Sequence, residues 1–189
     1  MRINWGRRSR SVRFVGLLGA FLVFLSPAQS QAKGGLELYG DIAQVAIPVF
    51  AGGTSLWKRD KEGFIQLAVG TGVTLGTVTA LKYGLDTERP DGGTRSFPSG
   101  HTASAFAGAS YLHYRYGWKW GLPTYLAASV VAYSRVEADK HYWYDVVAGA
   151  AIANLVAYVV TDTYDSDVVI IPIIDTGKHN FGLLARFEF

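Results

Sequence analysis

The chain has 189 residues, of which 49% are hydrophobic and 17% charged, and it contains no cysteine, which excludes disulfides and thiolate metal sites. Its formal charge is +3, yet residues 1–32 hold five arginines and no acid. The remainder carries 13 basic and 15 acidic residues, a charge of −2, which removes the case for nucleic acid as a partner.

The first segment reads as an export signal. Arg2, Arg7, Arg8, Arg10 and Arg13 form a basic leader to the apolar run Phe14–Leu25. Pro27 breaks the helix, and Ser30-Gln31-Ala32 offers small residues for cleavage after Ala32. Asp41–Trp57 follows as an apolar helix, with Asp41 its expected N-cap. After the charged turn Lys58–Gly63, residues Phe64–Leu85 form the longest apolar run, helical by length. Within it, Gly72 and Gly76 have the spacing of a helix-packing contact. A polar loop rich in Gly and Pro spans Asp86–Gly100. His101–Tyr116 is helical, with small residues suited to close packing. Pro123 is expected in the first turn of a helix that runs to about Ser134. A second polar loop, Arg135–Tyr144, leads into a last helix, Asp145–Val160. The tail reads as two strands around the turn Asp175–Asn180. The expected fold is all-α: a helical bundle of five to six helices with a small C-terminal β-hairpin. Residues 1–32 are the signal, 33–162 the bundle and 163–189 the tail.

In an up-and-down bundle both polar loops fall at one end. They carry the unusual residues: Lys82, Arg89, then Pro98-Ser99-Gly100-His101, then Ser134-Arg135, His141 and Asp145. Three cations and the freed amide of Gly100 at a helix start suit a doubly charged oxyanion, which arginine clasps in a fork and lysine meets as a point charge. His141 and Asp145, four apart, lie on one face at a helix start. A carboxylate on one ring nitrogen fixes the tautomer and leaves the other as a nucleophile. Two histidines across one anion divide the work between attack on phosphorus and protonation of the leaving oxygen. His113 and His179 lack such company and read as structural or exposed.

In order and spacing, Lys82-x6-Arg89-Pro90, Pro98-Ser99-Gly100-His101 and Ser134-Arg135-x5-His141-x3-Asp145 resemble the three-part signature of the type 2 phosphatidic acid phosphatase and vanadium haloperoxidase superfamily. The match covers residues 82–145, about a third of the chain. The resemblance implies a helical bundle and a phosphohistidine mechanism with no metal or other cofactor. By it, His141 is the nucleophile, Asp145 orients it and His101 is the general acid. Lys82, Arg89, Ser99, Gly100 and Arg135 hold the phosphoryl oxygens. A vanadate haloperoxidase shares this pocket, and a non-catalytic envelope binding protein is the alternative from another class. The apolar helices favour a lipid phosphate or pyrophosphate over a small soluble phosphoester. Two placements in the cell envelope stay open: an inner-membrane bundle with a periplasmic active site, and a soluble periplasmic domain. In the first, Lys58, Arg59, Lys61, Arg115 and Lys119 would face the cytoplasm, as the positive-inside rule requires.

Overall fold

The computed structural model describes residues 34–164 and, for the backbone alone, 29–33, 168–175 and 180–187. Of the expected signal, 1–32, residues 1–28 lie outside the described residues, as does His179, and 29–32 belong to the first helix. Five helices make the bundle: α1 (Gln29–Trp57), α2 (Lys61–Leu85), α3 (Gly100–Tyr116), α4 (Trp118–Glu137) and α5 (Trp143–Val160).

The middle helix sits at the centre, packed against each of the other four. Its composition makes that possible. Ala103, Ala105, Ala107, Gly108, Ala109 and Ser110 are all buried, so four neighbours approach its axis on different sides. One core cluster joins Ala43 and Ile47 of α1, Ala105 and Ala109 of α3, and Ala128 and Val131 of α4. A second gathers Ala51, Leu67, Tyr111 and Leu112.

Helix ends follow local chemistry. The Asp60 side chain accepts from the Gly63 amide at 2.8 Å and starts α2. Asp86 ends it with φ +39, in the left-handed region. Ser99 caps α3, accepting from the Thr102 amide. Three expectations change. Helix α1 begins twelve residues before Asp41, which therefore lies inside it and is not an N-cap. Helix α4 begins at Trp118, so Pro123 falls in its second turn and not its first. A Cβ at Gly72 or Gly76 would meet nothing within 4 Å among the described residues, so both face outward and neither packs against a described helix.

The close approach lies elsewhere. A Cβ at Gly149 of α5 would stand 2.6 Å from the Ser99 carbonyl and 3.3 Å from the Ala103 amide. Only hydrogen at that position lets α5 meet the start of α3. At the far end of the bundle, Arg115 forms two hydrogen bonds to Asp60, Nε at 2.8 Å and Nη2 at 2.7 Å, and the Tyr116 hydroxyl donates to the same carboxylate at 2.8 Å. This buried fork ties the α1–α2 turn to the end of α3.

Gly149→Ala is expected to destabilise the protein by about 1–3 kcal/mol, the usual cost of overpacking. Gly72→Ala, on an open helical face, should be neutral or stabilising by up to about 1 kcal/mol. Thermal unfolding of both variants in one detergent checks the pair; equal shifts would contradict the contact between α5 and the Ser99 turn.

Candidate active site

Two loops build the site: 86–99 between α2 and α3, and 138–142 between α4 and α5. The first is folded on itself by Arg89 N to the Gly93 carbonyl at 2.7 Å and Ser96 N to the Thr87 carbonyl at 2.9 Å. Arg95, at φ +59, turns the chain so that two successive carbonyls face α2. Lys82 donates to both, 2.6 Å to Arg95 and 3.0 Å to Ser96. Lys140 joins the two loops through Asp91 at 3.1 Å.

Asp145 lies in the first turn of α5 and is fully buried. Its Oδ2 accepts from the Tyr142 amide at 2.9 Å, closing the helix start, and from the Ser96 hydroxyl at 2.5 Å. The same oxygen faces His141 Nδ1 at 3.4 Å. Its backbone carbonyl accepts from the Ser99 amide at 3.0 Å. The bonds from the Ser96 hydroxyl and the Ser99 amide run from the turn before α3 to the third sequence cluster, so that turn and the start of α5 form one unit. His141 precedes α5, is 3% exposed, and turns Nδ1 to the carboxylate. Its Nε2 is the nitrogen left for chemistry.

His101, the second residue of α3, is half-buried. Its Nε2 lies 3.0 Å from Oδ1 of Asp41, on α1. The same oxygen accepts from Arg135 Nη1 at 2.8 Å. Arg135 also donates through Nη2 to the Glu37 carbonyl at 2.6 Å and through Nε to the Ser134 hydroxyl at 3.1 Å. Three of its five N–H groups are thus engaged, and the side chain is buried. Gly40 admits this contact, since a Cβ there would lie 2.3 Å from Nη2.

Electrostatics bring the clusters together. Burial holds the His141 imidazole down, to about 4, and the positive charges of Lys82 and Arg89 push it the same way against the pull of Asp145. Burial also lowers His101, and Arg135 adds to it, while Asp41 opposes; Arg89 acts on this ring too. One guanidinium therefore reaches both imidazoles. Ser99 is buried, its hydroxyl accepting from Thr102 Oγ1 at 3.1 Å. Gly100 faces Lys82, whose Cε would be 3.8 Å from a Cβ there, so the protein itself does not demand glycine at this position. His113 stands apart among Tyr114, Trp118 and Tyr125. Among the described residues no group of three or more His, Cys, Asp or Glu is placed to hold a metal ion.

Residues 63–167 match the family model described as the PAP2 superfamily. The chain belongs to the PAP2 superfamily. It is a phosphatase of that superfamily, and proteins similar to it carry related names. The chain is 37% identical over 165 residues to a lipid A 4'-phosphatase of Helicobacter pylori, covering 79% of this chain and 83% of that protein. It is 41% identical over 93 residues to a lipid A 1-phosphatase of Porphyromonas gingivalis, a match spanning 47% of this chain and 21% of the other. The bundle resembles the crystal structure of Aquifex aeolicus LpxE, with a TM-score of 0.59 at 24% identity over 68% of this chain and 84% of that one. It also resembles a transmembrane PAP2-type phosphatidylglycerolphosphate phosphatase of Bacillus subtilis, with a TM-score of 0.57 at 21% identity over 72% and 77% of the two chains. These two likenesses establish the all-helical PAP2 fold.

Sequence reasoning missed Asp41, Ser96 and Gly149. Ser96 stands two residues before the Pro-Ser-Gly-His run with no spacing to mark it. For Asp41 there was a faint signal: with Glu37 it places two acids one turn apart on an otherwise apolar helix.

A neutral His141 contributes stability that is fully present above about 6.5 and is lost as pH falls through about 4. Histidine-selective ¹⁵N NMR in micelles should show this ring titrating near 4. Asp145→Asn, which removes the one group holding it up, should move the midpoint lower still. An ordinary midpoint near 6.5 would contradict the buried, cation-flanked placement.

Proposed function

We propose that this PAP2 phosphatase releases phosphate from a lipid phosphate of the lipid A type, through a phosphohistidine on His141. The reading rests most on a single observation: a buried imidazole, His141, with Nδ1 turned to the buried carboxylate of Asp145. His141 Nε2 attacks phosphorus while the bond to the leaving oxygen breaks. His101 gives its proton to that oxygen. In the second half-reaction His101 takes a proton from water, whose oxygen attacks phosphorus and frees Nε2. Lys82, Arg89 and the Gly100 amide face the phosphoryl oxygens and offset their charge as the group passes in line. Arg135 adds its remaining N–H groups and its field, and the Ser99 hydroxyl donates from the helix cap.

A lipid substrate is supported by the outer surface. Ile65, Val69 and Val73 of α2 and Val147, Leu155 and Val159 of α5 are exposed. By length and composition α2 and α5 are the two described helices able to cross a membrane. Near the site, Tyr142 and Tyr144 stack at 5.2 Å, Phe97 meets Tyr144 at 6.2 Å and Trp143 meets Tyr133 at 6.3 Å. Such an aromatic rim suits the headgroup layer. Arg59, Lys61 and Arg115 stand at the opposite end, and the reading sets that end at the cytoplasm and the site on the periplasmic face of the inner membrane. Residues 168–175 and 180–187 are read as two antiparallel strands, with Val168 opposite Phe187 and Asp175 opposite Asn180. Residues 1–32 keep the reading of an export signal.

A phosphate-release panel tests this, with lipid A, phosphatidate, phosphatidylglycerol phosphate and a soluble monoester as substrates in one detergent with EDTA. Release is expected from the lipids, lipid A foremost, and should survive chelation. Vanadate should inhibit as a mimic of five-coordinate phosphorus. His141→Ala should lose roughly 10³-fold or more, and Arg89→Ala about 10²–10³-fold. Release abolished by EDTA, or unaffected by His141→Ala, would overturn the mechanism. Preference for the soluble ester would overturn the substrate class.

A further inference from the structure

The catalytic signature and the family match both begin after α1, yet α1 reaches into the site. It does so through three consecutive features of one helical face: the Glu37 carbonyl, the missing side chain of Gly40 and the Asp41 carboxylate. The helix is fixed in place nearby, with Ser104 Oγ donating to the Gln44 carbonyl at 2.7 Å and the Tyr39 hydroxyl to the Ala127 carbonyl at 3.1 Å. Asp41 is thus delivered on a rigid element, and its Oδ1 sits between Arg135 and His101. The pair with His101 is partly open, with side chains 33% and 48% exposed, unlike the closed pair of His141 and Asp145 at 3% and 0%. A group that must meet a leaving oxygen needs that opening.

We propose that Asp41 is a positioning residue for the reaction: it takes the Nε2–H of His101, leaving Nδ1 as the nitrogen that protonates the leaving oxygen, and it pins Arg135 beside that ring. The inference rests on the reading of His101 as the proton donor. In the first half-reaction the phosphorus–oxygen bond to the lipid breaks, the bond to His141 Nε2 forms, and the Nδ1 proton of His101 passes to the departing alkoxide. An imidazole next to two arginines resists holding that proton. The charged groups acting on His101 are Arg135 of α4 and Arg89 of the 86–99 loop, both working against the imidazolium, and Asp41 of α1, the carboxylate working for it. Removing Asp41 leaves His101 facing the arginines alone.

The test is the pH profile of kcat/KM for phosphate release from lipid A, on the full chain, for wild type, Asp41→Asn, Asp41→Glu and His101→Asn. Asp41→Asn should lower kcat about 10–100-fold and move the basic limb to lower pH, since the donor loses its proton sooner. Asp41→Glu should restore most of the rate and the limb. A merely structural Asp41 would lower the rate with the limb unmoved, and that result overturns the inference. His101→Asn separates the two readings: it should abolish the basic limb. If the limb survives, His101 is not the donor and the parent reading fails; if it is abolished while Asp41→Asn leaves the limb in place, only the Asp41 inference fails. Should Asp41→Asn not fold, histidine-selective ¹⁵N NMR on wild type decides, with the His101 signals assigned by their loss in His101→Asn. Nε2 protonated in the neutral ring supports the inference, and Nδ1 protonated overturns it.

Discussion

The site depends on one residue meeting four partners. Asp145 accepts the Ser99 amide on its carbonyl and, on its carboxylate, the Ser96 hydroxyl and the Tyr142 amide, while it faces His141 Nδ1. It closes the start of one helix, holds the turn that opens another, and sets the tautomer of an imidazole between them. The bonds from Ser96 and Ser99 form only where α5 touches the 96–100 turn at backbone distance. That demand falls on Gly149, where any side chain would enter the space of the Ser99 carbonyl. The catalytic geometry is therefore a packing result before it is an electrostatic one. A loop that held His141 alone would leave its ring free to rotate; here the ring's partner is locked by bonds to both neighbouring segments.

Given that frame, the two histidines diverge because their carboxylates do. Asp145 is buried with His141, and desolvation outweighs its attraction, so the ring stays neutral and its Nε2 lone pair free. Asp41 is half-exposed, faces a more open ring, and shares its charge with Arg135. Under the proposed mechanism, two imidazoles of the same intrinsic basicity receive opposite tasks from differences in burial and in carboxylate partner. The cations matter twice over. Lys82 and Arg89 disfavour a proton on His141, and under the proposed mechanism the same charges draw a phosphate towards it.

Much of this was legible in the sequence where the information is local. The proximity of Asp145 to His141 and the shared end of the two loops follow from spacing and helix periodicity, and both stand in the structure. What was hidden involves partners far along the chain. Asp41 meets His101 across 60 residues and Arg135 across 94. Read alone, an aspartate ahead of an apolar run is an N-cap, and only the earlier start of α1 turns it inward. Glycines divide the same way. Gly72 and Gly76 have a packing spacing but an open face, whereas Gly149 has no spacing partner and a contact that requires it. Periodicity marks which residues share a face, not which face a distant helix will choose.

The far end of the bundle supplies a contrast that bears on how the molecule works. There Asp60 is saturated: Arg115 by two bonds, Tyr116 by one and the Gly63 amide by another. A buried ion pair satisfied so fully has no spare valence for a ligand, and its physical effect is to fix the register of the α1–α2 turn on the end of α3. At the catalytic end the same kinds of group remain under-used. Arg135 retains two N–H groups, one oxygen of the buried Asp145 is without a partner among the described residues, and His101 has a ring nitrogen to spare. Stability is concentrated where every donor is matched, and reactivity where some are held in place and left unmatched. Because α3 runs from one end to the other, the static fork at Arg115 and Asp60 also anchors the helix whose first turn carries His101.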